Sequence, residues 1–109
     1  MEDHQLTPAD LAEIAKLDRV IHEPARLSIL SLLHIVDSAD FTYVRRLIGL
    51  TRGNLSSHMS KLEAAGYLQI DKEFADKVPR TLLSLTPLGR AAFQAYRERM
   101  QQILAGLPA

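Results

Sequence analysis

Thr51-Arg-Gly-Asn-Leu-Ser-Ser-His-Met-Ser-Lys-Leu-Glu-Ala-Ala-Gly-Tyr-Leu68 is the stretch that decides how this chain is read. Thr51 has the chemistry of a helix cap, because its hydroxyl can accept from a first-turn amide that lacks an intrahelical partner. Leu55, Met59 and Leu62 then recur at steps of four and three, an apolar stripe that a helix turns inward. Gly66 closes this helix, which runs from Arg52 to about Ala65. With the stripe inside, Arg52, Asn54, Ser56, Ser57, Ser60 and Lys61 face outward or lie on the flanks. Serine is a modest helix former, and the one acid in the helix is Glu63. An ordinary solvated helix more often carries Glu and Lys four residues apart. A face of short donors and acceptors with two cations suits base edges and phosphates. Arg can pair with guanine, Asn with adenine, and Ser with either kind of group.

Upstream, a shorter helix of about Thr42 to Ile48 turns Val44, Leu47 and Ile48 inward. Gly49 ends it, since glycine takes the left-handed cap conformation at little cost. With the turn Gly49-Leu-Thr51, residues 42–65 read as a helix-turn-helix. Downstream the period changes from helical to two. Leu68, Ile70 and Phe74 predict one strand, and Thr81, Leu83 and Leu85 a second. Ala75-Asp-Lys-Val-Pro79 is the polar connection between them, so residues 67–85 form a hairpin. Thr86-Pro87 opens a last helix, about 87–105, in which Phe93, Tyr96, Met100, Ile103 and Leu107 recur by threes and fours.

Two more helices precede this unit. Pro24 to about Val36 is apolar around most of its circumference and reads as the central core helix. Thr7-Pro-Ala-Asp10 starts another over about 8–21, with Leu11, Ile14, Leu17 and Ile21 on one face. A helix-turn-helix followed directly by a hairpin is a winged helix. The fold class is therefore mainly α with a small β-hairpin wing, in a single domain spanning 1–109.

Composition agrees. The chain has 109 residues, 47% of them hydrophobic and 24% charged, the profile of one ordinary folded domain. Net charge is zero, but unevenly spread. Residues 1–40 hold eight acids against three bases, and residues 41–109 ten bases against five acids. The basic half is the half that carries the helix-turn-helix, which points to a polyanion. There is no Cys, so a disulfide framework and thiolate chemistry are excluded. His4, His22, His34 and His58 lack the paired spacing of a metal site. The five glycines are scattered and make no phosphate loop. Ser56, Ser57 and His58 are consecutive on a helix, so their side chains diverge and form no catalytic triad. No enzyme, cofactor or metal is expected. No stretch approaches a membrane span, and the acidic N-terminus is unlike a secretory signal, so a cytoplasmic location is expected.

Thr51 to Leu68 resembles the recognition helix and strand entry of winged-helix regulators of the MarR/ArsR type. Leu85-Thr-Pro-Leu-Gly-Arg90 resembles the Leu-Thr-x-x-Gly-Arg box after the wing in MarR-like and PadR-like proteins. Ile21-His-Glu-Pro-Ala-Arg-Leu-Ser-Ile-Leu30 resembles the core-helix opening of the same group. The resemblance covers roughly residues 20–100. It implies a homodimeric transcriptional regulator on a pseudo-palindromic double-stranded operator. The groove-reading positions fall on Arg52, Asn54, Ser56, Ser57 and Ser60, with Thr51 and Lys61 alongside. Lys72, Lys77 and Arg80 would serve the wing, whose contact region is 71–80, and Arg45 and Arg46 would anchor phosphates. The chain lacks the Cys ligands of metal-sensing ArsR proteins. It is also shorter than a typical MarR protein, which leaves a small-molecule effector without support in the sequence.

The first and last helices offer stripes for dimerisation: Leu11, Ile14 and Leu17 on one, Phe93, Tyr96, Met100, Ile103 and Leu107 on the other, spaced like a coiled-coil seam. The rival arrangement folds the last helix back on its own domain. The rival function is a winged helix that binds protein and no DNA, and Asp71, Glu73 and Asp76 in the hairpin favour it.

Overall fold

Each helix begins where a side-chain oxygen can take up a free amide. In the computed structural model, which describes residues 7–109, α1 (Pro8–Leu11) is capped by Thr7 and α2 (Pro24–Ile35) by Glu23. Asp40 caps α3 (Phe41–Ile48), Thr51 caps α4 (Arg52–Ala64), and Thr86 caps α5 (Pro87–Ala105). A 3₁₀ segment, Ala12–Lys16, follows α1. The strands are β1 (Ala39–Asp40), β2 (Leu68–Ala75) and β3 (Val78–Leu85), in the antiparallel order β1-β3-β2.

The core gathers Ile29, Leu30 and Leu33 of α2 with Val44 of α3, Leu55, Met59 and Leu62 of α4, Leu68 and Leu83 of the sheet, and Phe93 of α5. These are the stripes expected from the sequence, with Leu47 as the exception. Leu47 is 57% exposed, and Val44 with half-buried Ile48 supplies the inner face of α3.

Three features differ from expectation. The helix expected over 8–21 stops at Lys16, because Leu17 is extended (φ −59°, ψ 148°) and Asp18 turns the chain. The Asp18 carboxylate accepts from the amides of Val20 and Ile21 at 2.9 and 3.2 Å, offering that backbone an alternative to the helix. The wing turn is tighter than 75–79. Ala75 pairs with Val78, and Asp76 and Lys77 alone make the bend. Finally, β1 adds a two-residue third strand against Leu82 and Leu83.

Two glycines are needed for different reasons. Gly66, at φ +81°, turns the chain from α4 into β2. Gly89 allows α5 to lie against the Tyr67 carbonyl, where a Cβ would come within 2.1 Å of that oxygen. Thr86 fastens the same junction, donating to the Gly66 carbonyl at 2.5 Å and accepting from the Gly89 amide at 2.9 Å. No helix among the described residues is long and apolar enough to cross a membrane.

Candidate nucleic-acid interface

The inward stripe of α4 fixes the rotation of that helix, and everything else on it is left outside. Leu55 and Leu62 are fully buried and Met59 nearly so. Arg52, Asn54, Ser56, Ser57, Ser60 and Lys61 are all exposed. Among the described residues, none of these six side chains has a hydrogen bond or ion pair within the chain. The Arg52 guanidinium lies 5.8 Å from the Phe41 ring centroid, which holds it over the start of α4. A shallow groove of about 330 Å³ runs between α4 and the base of the wing, lined by Arg52, Ser56 and Ser60 on one side and by Ile70, Lys72 and Thr81 on the other. Recognition-helix and wing residues are thus brought to one surface.

Other expected site residues have different duties. The Thr51 hydroxyl accepts from the Asn54 amide at 3.1 Å, so its side chain serves as the cap of α4. Arg80 lies 3.6 Å from the Asp40 carboxylate and 3.9 Å from Glu73. It ties the wing to the cap of α3, and its charge is already shared between two carboxylates. Arg46 is exposed and Arg45 half-buried on α3, and Lys77 sits at the turn of the wing. None of these three forms an ion pair among the described residues.

Behind α4 lies a polar support in which the sequence reading singled out neither Arg26 nor Glu23. Arg26, only 9% exposed, donates from Nε to the Val20 carbonyl at 2.6 Å, and its NH1 lies 3.2 Å from His58 Nδ1. A guanidinium can only donate, so Nδ1 accepts and the ring proton belongs on Nε2. Glu23 accepts from the Arg26 amide at 2.7 Å and stands 3.6 Å from His58 Nδ1. Burial works against the Glu23 carboxylate, but the amides of Arg26 and Ala25 and the Arg26 guanidinium outweigh it and hold its pKa below the ordinary value. His58 therefore borders the core and makes a hydrogen bond, locking the rotation of α4 from its inner side. The one sequence signal was an arginine in the first turn of an otherwise apolar helix.

The expected dimer seam is largely used inside the chain. Phe93, Tyr96, Ile103 and Leu17 are buried, and half-buried Met100 packs against the same core. Tyr96 shares a 2.7 Å hydrogen bond with His22, and Arg99 an ion pair at 3.1 Å with Glu13. α5 thus covers the core of its own chain. Leu11, Ile14 and Leu107 do remain exposed, at 41, 41 and 46%, and Leu104 joins them at 59%.

Residues 25–104 match the family described as the winged helix DNA-binding domain. The chain belongs to that family. An uncharacterized protein of Methanocaldococcus jannaschii is 31% identical over 85 residues, which cover 78% of this winged-helix chain and 92% of the relative. The structure of a transcriptional regulator homologue from Pyrococcus horikoshii OT3 matches with a TM-score of 0.82 at 31% identity, covering 90% of this chain and 96% of that one. A MarR-family transcriptional regulator from Silicibacter pomeroyi shares the fold, with a TM-score of 0.60 at 23% identity over 86% of this chain and 61% of its own. The winged-helix protein is thus MarR-like in fold, and its family is one of DNA binders.

Proposed function

We propose that the protein is a sequence-specific, homodimeric transcriptional regulator that places α4 in the major groove of double-stranded DNA. The observation that carries this reading is the outer face of α4. Among the described residues, six polar or basic side chains stand there with no hydrogen bond or ion pair, on a helix whose rotation is locked from behind. Arg52 and Asn54 read bases. Ser56, Ser57 and Ser60 let the helix backbone approach the groove floor, and Lys61 follows the phosphates. Arg45 and Arg46 anchor the backbone from α3, with Lys72 and Lys77 on the wing. The exposed leucines and isoleucine near the chain ends support pairing of two copies. Their recognition helices would then address half-sites about one helical turn, ~34 Å, apart.

Selection of binding sites from a random duplex library with purified protein tests this directly. Enrichment of an inverted repeat with that spacing is the expected result. Binding without enrichment would leave a backbone reader, and no binding at low salt would favour a protein-binding winged helix. On the selected site, Arg52→Ala should cost about 1–3 kcal/mol of affinity and relax preference at one base pair. Wild-type affinity and preference in that variant would remove Arg52 from the base-reading set.

A further inference from the structure

Beyond Lys72 the wing runs clear of the core. Phe74 is 76% exposed, and it pairs across the strands with Pro79. Strand parity puts Phe74 and Pro79 on the same face as Ile70, Lys72 and Thr81. Those last three residues line the groove beside α4, so Phe74 and Pro79 continue the wall of the groove outward. Parity also sends Asp71, Glu73 and Arg80 to the opposite face, where Arg80 and Glu73 stand 3.9 Å apart. The side of the wing towards α4 therefore carries Lys72 as its one charge and an apolar end, with Asp76 and Lys77 at the turn beyond.

We infer that the wing meets DNA through this apolar pair, with Phe74 and Pro79 entering the minor groove next to the major groove that α4 reads. The inference rests on the DNA-binding reading above. Three observations select this occupant over a protein surface. The pair is continuous with the α4 groove, the strand carboxylates Asp71 and Glu73 are turned to the other face, and Lys72 stands on the same face as the ring. The minor groove offers sugar walls to apolar side chains and phosphates to the flanking cations, and apolar wedges are an established way into it. Affinity from this contact should be independent of salt, unlike affinity from Lys72 or Lys77.

The test uses full-length protein and an end-labelled duplex carrying the site selected from the random library. Phe74→Ala should fold normally, since the ring is exposed. Its affinity should fall about tenfold or more. The slope of log affinity against log salt should not change, because no charge is lost. Hydroxyl-radical protection in the flanking minor groove should disappear while methylation protection of central guanines persists. Phe74→Leu should recover most of the affinity, and Lys72→Ala should flatten the salt slope. Wild-type affinity and flanking protection in Phe74→Ala would overturn the wedge and leave the DNA reading standing. A Phe74→Ala variant that instead sediments as a smaller species would assign the tip to a second copy and overturn the wedge too. Failure of the wild-type protein to bind any duplex would overturn both.

Discussion

Tyr67 and Asp18 show how single residues hold the reading helix in its frame. The Tyr67 hydroxyl donates to the Asp18 carboxylate at 2.5 Å, joining the loop after the 3₁₀ segment to the start of the wing. That hydrogen bond, with partial burial and the negative charge of Asp18 adding to it, pushes the Tyr67 pKa up from 10.0 to about 12. A phenol whose pKa is raised by folding contributes stability that is whole below its unfolded value and is lost as pH rises through the folded one. The thermal midpoint should therefore fall between pH 10 and about 12, and Tyr67→Phe should flatten that part of the profile. Melting curves across the range, alongside an ultraviolet titration of the tyrosines, check both statements. An unchanged slope in the variant would assign the alkaline loss to other groups. Asp18 is doubly used, since its other oxygen holds the amides that end the N-terminal helix. Arg26 has the same economy: it spans the Val20 carbonyl and His58, and so connects that loop to α4.

Among the elements, the wing stores the most local strain. Its two-residue turn places Asp76 at φ 52° and Lys77 at φ 67°. Turns of this kind prefer Asn-Gly, and a side-chain-bearing residue in the left-handed region costs roughly 1 kcal/mol. Lys77→Gly should thus raise stability by about 0.5–1 kcal/mol while weakening DNA binding and making the salt slope shallower by about one. Denaturant melts and salt titrations on the selected duplex measure the two effects separately. A destabilised variant would show that the lysine side chain, not the backbone, sustains the turn. The same turn explains what was legible in the sequence and what was not. Helix ends were readable because caps and glycines such as Thr51, Thr86, Gly49 and Gly66 have local meanings. The face of α4 was readable because Leu55, Met59 and Leu62 fix its rotation. The turn length alone left the register open, although the alternation of Leu68 and Ile70 against Leu83 and Leu85 fixes which strand faces must match. A connection over 75–79 would pair Phe74 with Arg80 and put Arg80 on the face of the wing towards α4. The observed turn pairs Glu73 with Arg80 and sends it to the other face. The two residues of β1 carry no period at all, and the break at Leu17 came from a side-chain competition that apolar spacing does not record.

At the scale of the whole molecule, the proposed second copy has a surface to meet. The radius of gyration is 16.6 Å and the extents are 59 × 24 × 24 Å, against roughly 13 Å for the radius of a compact chain of this length. The Arg99–Glu13 ion pair brings the 3₁₀ segment beside the C-terminal half of α5. Leu11 of α1 and Ile14 of the 3₁₀ segment, and Leu104 near the end of α5 with Leu107 just past it, are all exposed. Exposed apolar side chains of this kind are what a symmetric pairing surface requires. The buried residues of α5 cannot test this, because removing Phe93 or Ile103 would damage the core first. The doubly substituted L104E/L107E protein can, since both leucines lie outside the core. It should keep its circular dichroism spectrum and sediment as a monomer. Its affinity for the selected inverted repeat should drop about a hundredfold, because a second half-site no longer binds at the high effective concentration of a tethered partner, while binding to a single half-site should hardly change. A variant that remains dimeric would move the interface elsewhere on the surface, and a wild-type protein that is monomeric and binds the repeat with undiminished affinity would show that each copy reads its half-site alone.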